Sequence, residues 1–407
     1  MTPPLQGIKV VEIGVAMAGP FCGMILGDYG ADVIKIERTV VGDDSRAWTP
    51  TFFNQLSYYY ASANRNKRSI AIDLKSPEGA KIARELILDA DVFVHNFRLG
   101  ALDRIGLDWE SLSRENPRLI YCAISGFGAT GPLSKEPAND LFMQAYSGGM
   151  SITGDPDGGP AKMGMSVADV GAGMFATIGI MMALEARHTS GKGQRVDTSL
   201  LEGQISMLAH FFTRHFATGE VPGPSGSGAL GSPTYRAFEA SDNWIVVSAF
   251  NQKMWRGLCA ALEKDEWVND PRFCYPANRA DNKDMLIGMI SQVIKNRPIA
   301  HWMAKLKENE VPCSPVNTID KVVAEPQVKE REMVQDIELP GLGIMSMAGL
   351  PVKFSDTPGS IRRHPPQLGQ HTEEILGEIG YDSRMIRTLS DAGVIGIDQG
   401  WKPRTSS

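Results

Sequence analysis

The chain has few of the residues that build disulfide or metal sites. Its 407 residues include five cysteines and seven histidines. The cysteines are odd in number, widely spaced and form no CxxC pair, which argues against a disulfide framework and against a zinc site. The histidines are equally scattered and show no HExxH or similar ligand spacing. We therefore expect no metal site.

Long apolar runs and a marked excess of charge are also missing. No uncharged apolar run reaches about 18 residues, and the opening MTPPLQGIKVVEIG shows no charged leader followed by an apolar core. The net charge is only −6, so nothing indicates a nucleic-acid surface. The sequence thus predicts no membrane span, no nucleic-acid partner and a cytoplasmic location. A local basic pocket for an anionic small molecule stays compatible with this mild acidity.

The composition is that of an ordinary globular protein, with 43% hydrophobic and 22% charged residues. A chain of this length can bury a sizeable core and favours two domains. Short β-branched runs alternate with helical stretches in the first half, which predicts βαβ units, an α/β fold class and a parallel sheet. The predicted strands are 7–14, 32–37, 68–74, 91–97 and 119–128, with helices at 77–90 and 169–188.

The second half changes in composition. Residues 219–233, GEVPGPSGSGALGSP, are rich in Gly, Pro and Ser and predict a linker or a flexible loop over a site. A strand at 244–250 and helices at 285–295 and 299–310 follow. A loop leading to a capped helix is predicted at 365–380, and the composition of 396–407 predicts disorder.

The first strand is followed by GVAMAGP, which does not match a dinucleotide-binding turn. That turn requires GxGxxG, whereas glycine stands here only at positions 14 and 19, with Pro20 next. A tight strand-to-helix turn explains both glycines. We therefore do not expect an NAD site.

Basic residues follow or lie near the predicted strands. They are Lys35, Arg38, Lys75 and those within 64–69 and 96–104. Ligands bind outside the carboxyl ends of parallel strands, and several cations there would suit a phosphate-bearing ligand. Each residue taken alone is explained as well by a solvated surface charge.

Six segments resemble the family III CoA-transferases, in the same order along the chain. They are AGPFCGMILGDYGADVIKIE, NRNKRSIAIDLKSPEG, ADVFVHNFRLGALDRIGLDW, LIYCAISGFGATGP, TSGKGQRVDTSL and PPQLGQHTEEIL. That family includes formyl-CoA:oxalate and carnitine CoA-transferases and α-methylacyl-CoA racemases. The resemblance covers about residues 5 to 395. It implies an interlocked homodimer, in which a Rossmann-like large domain built from both ends of the chain is linked to a smaller α+β domain.

The resemblance also implies domain boundaries and site residues. The first part of the CoA-binding large domain falls on 1–200, a linker with the glycine-rich loop on 201–233, the small domain on 234–325, and the return to the large domain on 326–407. CoA is expected as substrate and product, with acyl-CoA and a small carboxylic acid as partners and no tightly bound cofactor. The catalytic aspartate falls on Asp140. The CoA-contacting positions fall on Met17, Ala18, Arg38, Leu74, Lys75, Asn96, Phe97, Arg98, Arg104 and Lys135.

Asp140 leads into an apolar, aromatic run with no lysine or arginine beside it. CoA transfer needs a carboxylate nucleophile, and weak solvation of that carboxylate favours its attack while excluding water from the anhydride. From the residues alone, Asp140 is explained as well by capping the helix that starts near Leu141. The resemblance favours catalysis.

Two other activities stay open at this point: an α-methylacyl-CoA racemase and a non-catalytic CoA-binding protein. Racemases of this family carry a histidine directly before the position of Asp140 and a second acid about thirty residues later. Asn139 precedes Asp140 here and cannot act as a general base. Asp169 stands at the second position, but transferases carry acids there too. We therefore expect CoA transfer.

The acid substrate is indicated by the loop PSGSGALGSP at 224–233. Its glycines, Gly226, Gly228 and Gly231, are separated, whereas the oxalate enzyme has consecutive glycines in the loop that closes over the nucleophile. The order resembles members that use succinyl-CoA and small dicarboxylic acids. Candidate cations for a second carboxylate, each equally a structural or surface residue, are His210, Arg214 and Arg46.

Overall fold

The structure is a computed structural model that describes residues 2–53, 55–398 and 400. The chain forms two compact units. Unit 1 consists of the described parts of Met1–Ser147, Met163–Ala217 and Gln327–Ser407, and unit 2 consists of Gly148–Lys162 and Thr218–Pro326.

The strands are short and spread over both units. In chain order they are β1 (Lys9–Ile13), β2 (Asp32–Glu37), β3 (Thr51–Phe52), β4 (Leu56–Ser57), β5 (Lys67–Ile72), β6 (Val92–His95), β7 (Ile120–Ser125), β8 (Arg195–Ser199), β9 (Tyr235–Glu239), β10 (Trp244–Ser248), β11 (Cys313–Pro315), β12 (Val334–Leu339), β13 (Gly343–Ala348) and β14 (Ile395–Gly396).

The helices are α1 (Ala18–Asp28), α2 (Tyr58–Asn64), α3 (Pro77–Leu88), α4 (Trp109–Glu115), α5 (Asp140–Tyr146), α6 (Val167–Ser190), α7 (Leu200–Met207), α8 (Ala209–Thr218), α9 (Gln252–Ala261), α10 (Pro276–Asp281), α11 (Lys283–Ile294), α12 (Ile299–Glu308), α13 (Ile319–Ala324), α14 (Pro326–Glu330), α15 (Thr372–Glu378) and α16 (Ser383–Asp391). Helices α7 and α8 begin within or beside the segment predicted as a linker.

Unit 1 is organised by a seven-stranded sheet with the order β14-β5-β2-β1-β6-β7-β8. Its strands pair in parallel, except that β14 runs antiparallel to β5. Alternate residues of β1 enter cores on opposite faces of the sheet, with Val11 in one core and Val10 in the other. The predicted α/β class, the parallel sheet and the five predicted strands of the first half are confirmed.

Unit 2 has its own core, built on the antiparallel sheet β11-β10-β9 and the helices around it. Trp255 of α9 is fully buried at its centre, with Ile245 and Val247 of β10 contributing from the sheet. Ile245 and Val247 both face this core because side chains two residues apart lie on the same face of a strand. The predicted strand at 244–250 and the helices at 285–295 and 299–310 are confirmed as β10, α11 and α12.

Three details of the chain differ from expectation or lie outside the described residues. Helix α15 lacks a side-chain cap at His371. Gly396, placed in the tail predicted to be disordered, pairs with Ala71 as part of β14. The rest of that prediction falls largely on Gln399 and residues 401–407, which lie outside the described residues.

Helix α6 is long and apolar enough, by length and composition alone, to cross a membrane. Among the described residues it is the only helix with that property, and 44% of its most apolar stretch is buried inside the protein. It packs against α1, α7, β7 and β8. These contacts are those of a core helix in an α/β unit, so the property is weak evidence for a membrane span.

Candidate functional site

Three cavities open at the carboxyl ends of strands of unit 1, and two of them share the loop after β1. The larger of these two, of about 270 Å³, is walled by the loops after β1, β6 and β7. The smaller of the two, of about 150 Å³, lies between the loops after β1 and β2. Val15 and Phe97 belong to the walls of both cavities. The edge of a parallel sheet where strands end is where open α/β folds bind ligands.

Six of the ten predicted CoA-contacting residues are brought together in these walls. Ala18, Asn96, Phe97 and Arg98 line the larger cavity, and Arg38, Leu74 and again Phe97 line the smaller one. The other four lie outside both walls. Of these, Met17 is buried, whereas Lys75, Arg104 and Lys135 are exposed.

The loops that form the larger cavity are fixed by two polar side chains, of which one is buried and one is half-buried. The amide of Asn96 spans Val15, because its Oδ1 accepts from the Val15 N–H at 3.0 Å and its Nδ2 donates to the Val15 carbonyl at 2.9 Å. One residue earlier, His95 Nδ1 accepts from the Phe97 N–H at 3.3 Å, and its Nε2 lies 3.0 Å from the Tyr121 hydroxyl. Burial, and then the charge of Arg195, lowers the pKa of His95 to about 3, so the ring is neutral. Sequence reasoning missed this histidine.

Asp140 is the first residue of α5, and the helix is capped by the residue before it. Asn139 Oδ1 accepts from the Phe142 N–H at 3.0 Å. The capping interpretation of Asp140 is therefore wrong, because Asn139 does that work. The residue Asp140 is 9% exposed, and both of its carboxylate oxygens accept hydrogen bonds, from Gln144 Nε2 at 2.7 Å and from the Ala168 N–H at 2.9 Å.

Asp169 follows Ala168 in the first turn of α6 and lines the larger cavity. Burial, and then the charge of Asp140, raises the pKa of Asp169 to about 7. A carboxyl group with a strongly perturbed pKa in a cleft is a candidate for chemistry. The sequence left the importance of Asp169 undecided, and its position at the start of a helix gave no indication of the neighbouring charge.

Half of the basic residues near the strand ends are buried, contrary to both interpretations of the sequence. Lys35 and Lys67 are fully buried and bind the carboxylate of Glu12 at 2.8 and 2.7 Å. Arg65 is also buried and binds Asp28 at 2.7 Å. These three cations are neither solvated surface charges nor available for a phosphate, because buried charges need the partners they already have.

Arg38 keeps a position suited to a ligand. Its side chain is 54% exposed, donates to the Gly42 carbonyl at 2.8 and 2.9 Å and pairs with Asp44. Arg46, in contrast, is held by two bonds to Glu37 at 2.6 and 2.7 Å. Its guanidinium group is therefore committed within the fold.

The remaining candidates for the acid-binding part of the site are exposed or belong to unit 2. His210 and Arg214 are exposed on α8. In unit 2, Gly226 and Gly231 adopt left-handed φ values of 63° and 80°, where glycine is favoured. The closing of their loop over the nucleophile stays a prediction. Within residues 2–53, 55–398 and 400, no group of three or more His, Cys, Asp or Glu side chains could hold a metal ion.

Comparison with known proteins agrees with the cavities in indicating a CoA-binding enzyme. Residues 5–372 match CoA-transferase family III. The chain is 38% identical to the human succinyl-CoA:glutarate CoA-transferase, covering 96% of this chain and 90% of that one, and 37% identical to the Agrobacterium fabrum succinate–glutarate CoA-transferase, covering 93% and 96%. A crystal structure of a CAIB/BAIF family protein from Brucella suis superimposes with a TM-score of 0.84 at 36% identity, covering 93% of this chain and all of that one. The chain belongs to CoA-transferase family III.

Proposed function

We propose that this enzyme moves CoA from an acyl-CoA donor to a small carboxylic or dicarboxylic acid through an aspartyl-CoA thioester. The observation that carries the proposal is a half-buried carboxyl group, Asp169, in the wall of a cavity that also contains Ala18, Asn96, Phe97 and Arg98. The relatives named for succinyl-CoA and glutarate support a succinyl-CoA donor and a dicarboxylate acceptor. We also propose a cytoplasmic location, which cell fractionation tests.

The reaction proceeds by exchange of acyl groups on one carboxylate. The aspartate oxygen attacks the donor thioester carbonyl, and the carbon–sulfur bond breaks. CoA thiolate is released, and the aspartate and the donor acyl group form a mixed anhydride. The thiolate then attacks the aspartyl carbonyl, releases the donor acid and leaves aspartyl-CoA. The acceptor carboxylate attacks this thioester, a second anhydride forms, and the thiolate takes the acceptor acyl group. The aspartate is regenerated with no net change in protons.

Two carboxylates are candidates for the attacking group. The sequence predicts Asp140, and the geometry supports Asp169. Both oxygens of Asp140 accept hydrogen bonds within the fold, whereas Asp169 lines the cavity and has a raised pKa. A carboxylate that water stabilises poorly is the better nucleophile. We therefore propose that Asp169 attacks and that Asp140 acts as its charged neighbour.

A trapping experiment distinguishes the two aspartates. The enzyme is incubated with succinyl-CoA without acceptor, quenched with hydroxylamine, and digested for mass spectrometry. A hydroxamate on Asp169 is the expected result, and the Asp169→Asn variant should lose several powers of ten in rate. A hydroxamate on Asp140 would restore the assignment made from the sequence. No adduct on either aspartate, with activity retained in both asparagine variants, would refute covalent catalysis.

The substrates are tested by supplying succinyl-CoA with a panel of mono- and dicarboxylic acids. New acyl-CoA species are expected, with dicarboxylates preferred. Deuterium entering the α-carbon of a 2-methylacyl-CoA in heavy water, without exchange of acids, would instead indicate the racemase. The role of Asn139 as a helix cap argues against that outcome. Binding of CoA with neither reaction would indicate a binding protein.

An exposed apolar stripe supports the homodimer that the resemblance implies. Met174, Ile178, Met181 and Met182 lie on one face of α6 and are 40% to 68% exposed. A patch of this kind on a soluble protein usually marks an interface. We propose that a second copy covers it in an interlocked dimer. Sedimentation should give a dimer that Met182→Glu weakens, and differently tagged copies should not exchange without unfolding.

A further inference from the structure

Beneath the loop between β1 and α1 lies a chain of four buried charges. Lys67 Nζ lies 2.7 Å from Glu12 Oε2, and Lys35 Nζ lies 2.8 Å from Glu12 Oε1. Lys35 Nζ also lies 3.1 Å from Asp43 Oδ2, and all four side chains are fully buried. Buried ion pairs of this kind are often no more stabilising than apolar residues of the same size. We therefore look for a role of these four charged side chains other than stabilising the fold.

Two of these four charged side chains, Asp43 and Lys35, bind the backbone of the loop between β1 and α1. Asp43 Oδ1 accepts from the Ala16 N–H at 3.0 Å, and Lys35 Nζ donates to the Gly14 carbonyl at 2.8 Å. Ala16 has a φ of 61°, a left-handed conformation that is uncommon for a residue other than glycine. The surrounding structure must hold such a residue in place. Asp43 and Lys35 supply contacts on both sides of Val15.

The loop they hold is part of the walls of both cavities. Gly14 lines the smaller cavity, Val15 lines both, and Ala18, which begins α1, lines the larger one. The Asn96 amide binds both the N–H and the carbonyl of Val15 itself. The left-handed conformation is unfavourable for alanine because of its Cβ. If the hydrogen bond to the Ala16 N–H is lost, we expect Ala16 to leave this conformation and to displace Val15 in the cavity wall.

We propose that Asp43, oriented by Lys35, is a positioning residue for the CoA thioester. It holds Ala16 in the left-handed conformation, so that the two cavities have the shape that CoA fits before CoA arrives. This inference rests on the proposed function, because it takes the cavities of unit 1 as the CoA site. Asp43 also lines the smaller cavity, but its Oδ1 accepts from the Ala16 and Ser45 N–H groups and its Oδ2 faces Lys35 Nζ, so we assign it no contact with CoA itself.

The test compares Asp43→Ala, Asp43→Asn and a matched control by calorimetric titration of CoA and by steady-state kinetics. Asparagine can keep the bond from the Ala16 N–H, whereas alanine cannot. The control is Asp28→Asn, which weakens another buried pair, with Arg65, at the opposite end of α1. The unfolding temperature of each variant is recorded, so that general loss of stability is separated from loss of binding.

We expect Asp43→Ala to raise the dissociation constant for CoA by about tenfold or more, since a charge-assisted hydrogen bond commonly has this effect. The KM for acyl-CoA should rise while the KM for the acid changes little, and Asp43→Asn should recover much of the affinity. Asp28→Asn should lower the unfolding temperature without changing CoA affinity. Equal affinity in Asp43→Ala and wild type, or an equal loss in Asp28→Asn, would overturn the inference alone. A wild-type protein that does not bind CoA would overturn the proposed function as well.

Discussion

Replacing Asp169 with asparagine removes the carboxyl group whose ionisation the fold opposes most clearly. Burial, and then the charge of Asp140, raises its pKa from 3.8 to about 7. At 1.36 kcal/mol for each pH unit between these values, holding the carboxylate ionised destabilises the folded protein by about 4 kcal/mol at most. We therefore expect Asp169→Asn to be inactive and yet more stable than the wild type at alkaline pH.

The sign of the pH dependence follows from where the proton is held. In the folded protein Asp169 keeps its proton up to about pH 7, whereas an aspartate of the unfolded chain releases it near pH 4. Between these values the folded state binds more protons, so the wild type loses stability as pH rises. Asparagine does not titrate, and the variant is spared this loss. Its advantage should grow up to about pH 7 and stay level above it.

Urea unfolding at pH 5 and pH 8 measures the effect. The stability gained by Asp169→Asn should be about 2–3 kcal/mol larger at pH 8 than at pH 5. Asp157→Asn is the matched control, because the same substitution at an exposed position of unit 2 should change stability by less than about 0.5 kcal/mol at either pH. An equal gain for Asp169→Asn at both pH values would refute the raised pKa and, with it, the argument for a poorly solvated nucleophile.

Three further substitutions test other parts of the structure. Asn139→Ala removes the cap on the Phe142 N–H and should lower the free energy of unfolding by about 1 kcal/mol, most of which Asn139→Ser should restore; no change would contradict the cap. Arg38→Ala should weaken CoA binding roughly tenfold in calorimetry. If Arg38 contacts the 3′-phosphate, the variant and the wild type should bind dephospho-CoA equally well. Unchanged CoA binding in the variant would show that Arg38 is a surface charge. Gly23→Ala would bring a Cβ within 2.1 Å of Glu12 Oε2, so it should destabilise by about 1–3 kcal/mol, although alanine is usually the better helix residue; a more stable variant would contradict this packing.

The sequence predicts the centre of the unit 1 sheet well and its far edge poorly. Strands such as β6 and β7 are buried on both faces and read as continuous apolar runs, which identifies them locally. Strand β8, RVDTS, is an edge strand in which exposed residues alternate with less exposed ones. Such a polar segment has no apolar run, and only its neighbour β7 makes it a strand.

The site was predictable as a region but not charge by charge. Lys35 and Lys67 stand where a phosphate-binding cation would stand, but their partner Glu12 comes from another strand. Local sequence cannot distinguish a basic side chain that is available to bind a ligand from one that already forms an ion pair within the fold. The same holds for the two acids, since the effect of Asp140 on Asp169 arises only when α5 and α6 meet.

The closing strand β14 has a consequence for how the protein is made. The outer edge of β5 is completed only by residues from the end of the chain, with the His371 N–H donating to the Ser69 carbonyl and Ile395 pairing with Ile72. Unit 2 ends at Pro326, so the ribosome delivers it in full while unit 1 still lacks this border. Because Ile395 is synthesised 323 residues after its partner Ile72, at about 5–20 residues per second the β5 edge stays unpaired for on the order of half a minute after β5 itself is made. An open edge recruits other strands, so the nascent chain should depend on chaperones in this interval, and a circular permutant that moves residues 371–396 ahead of β1 should shorten it.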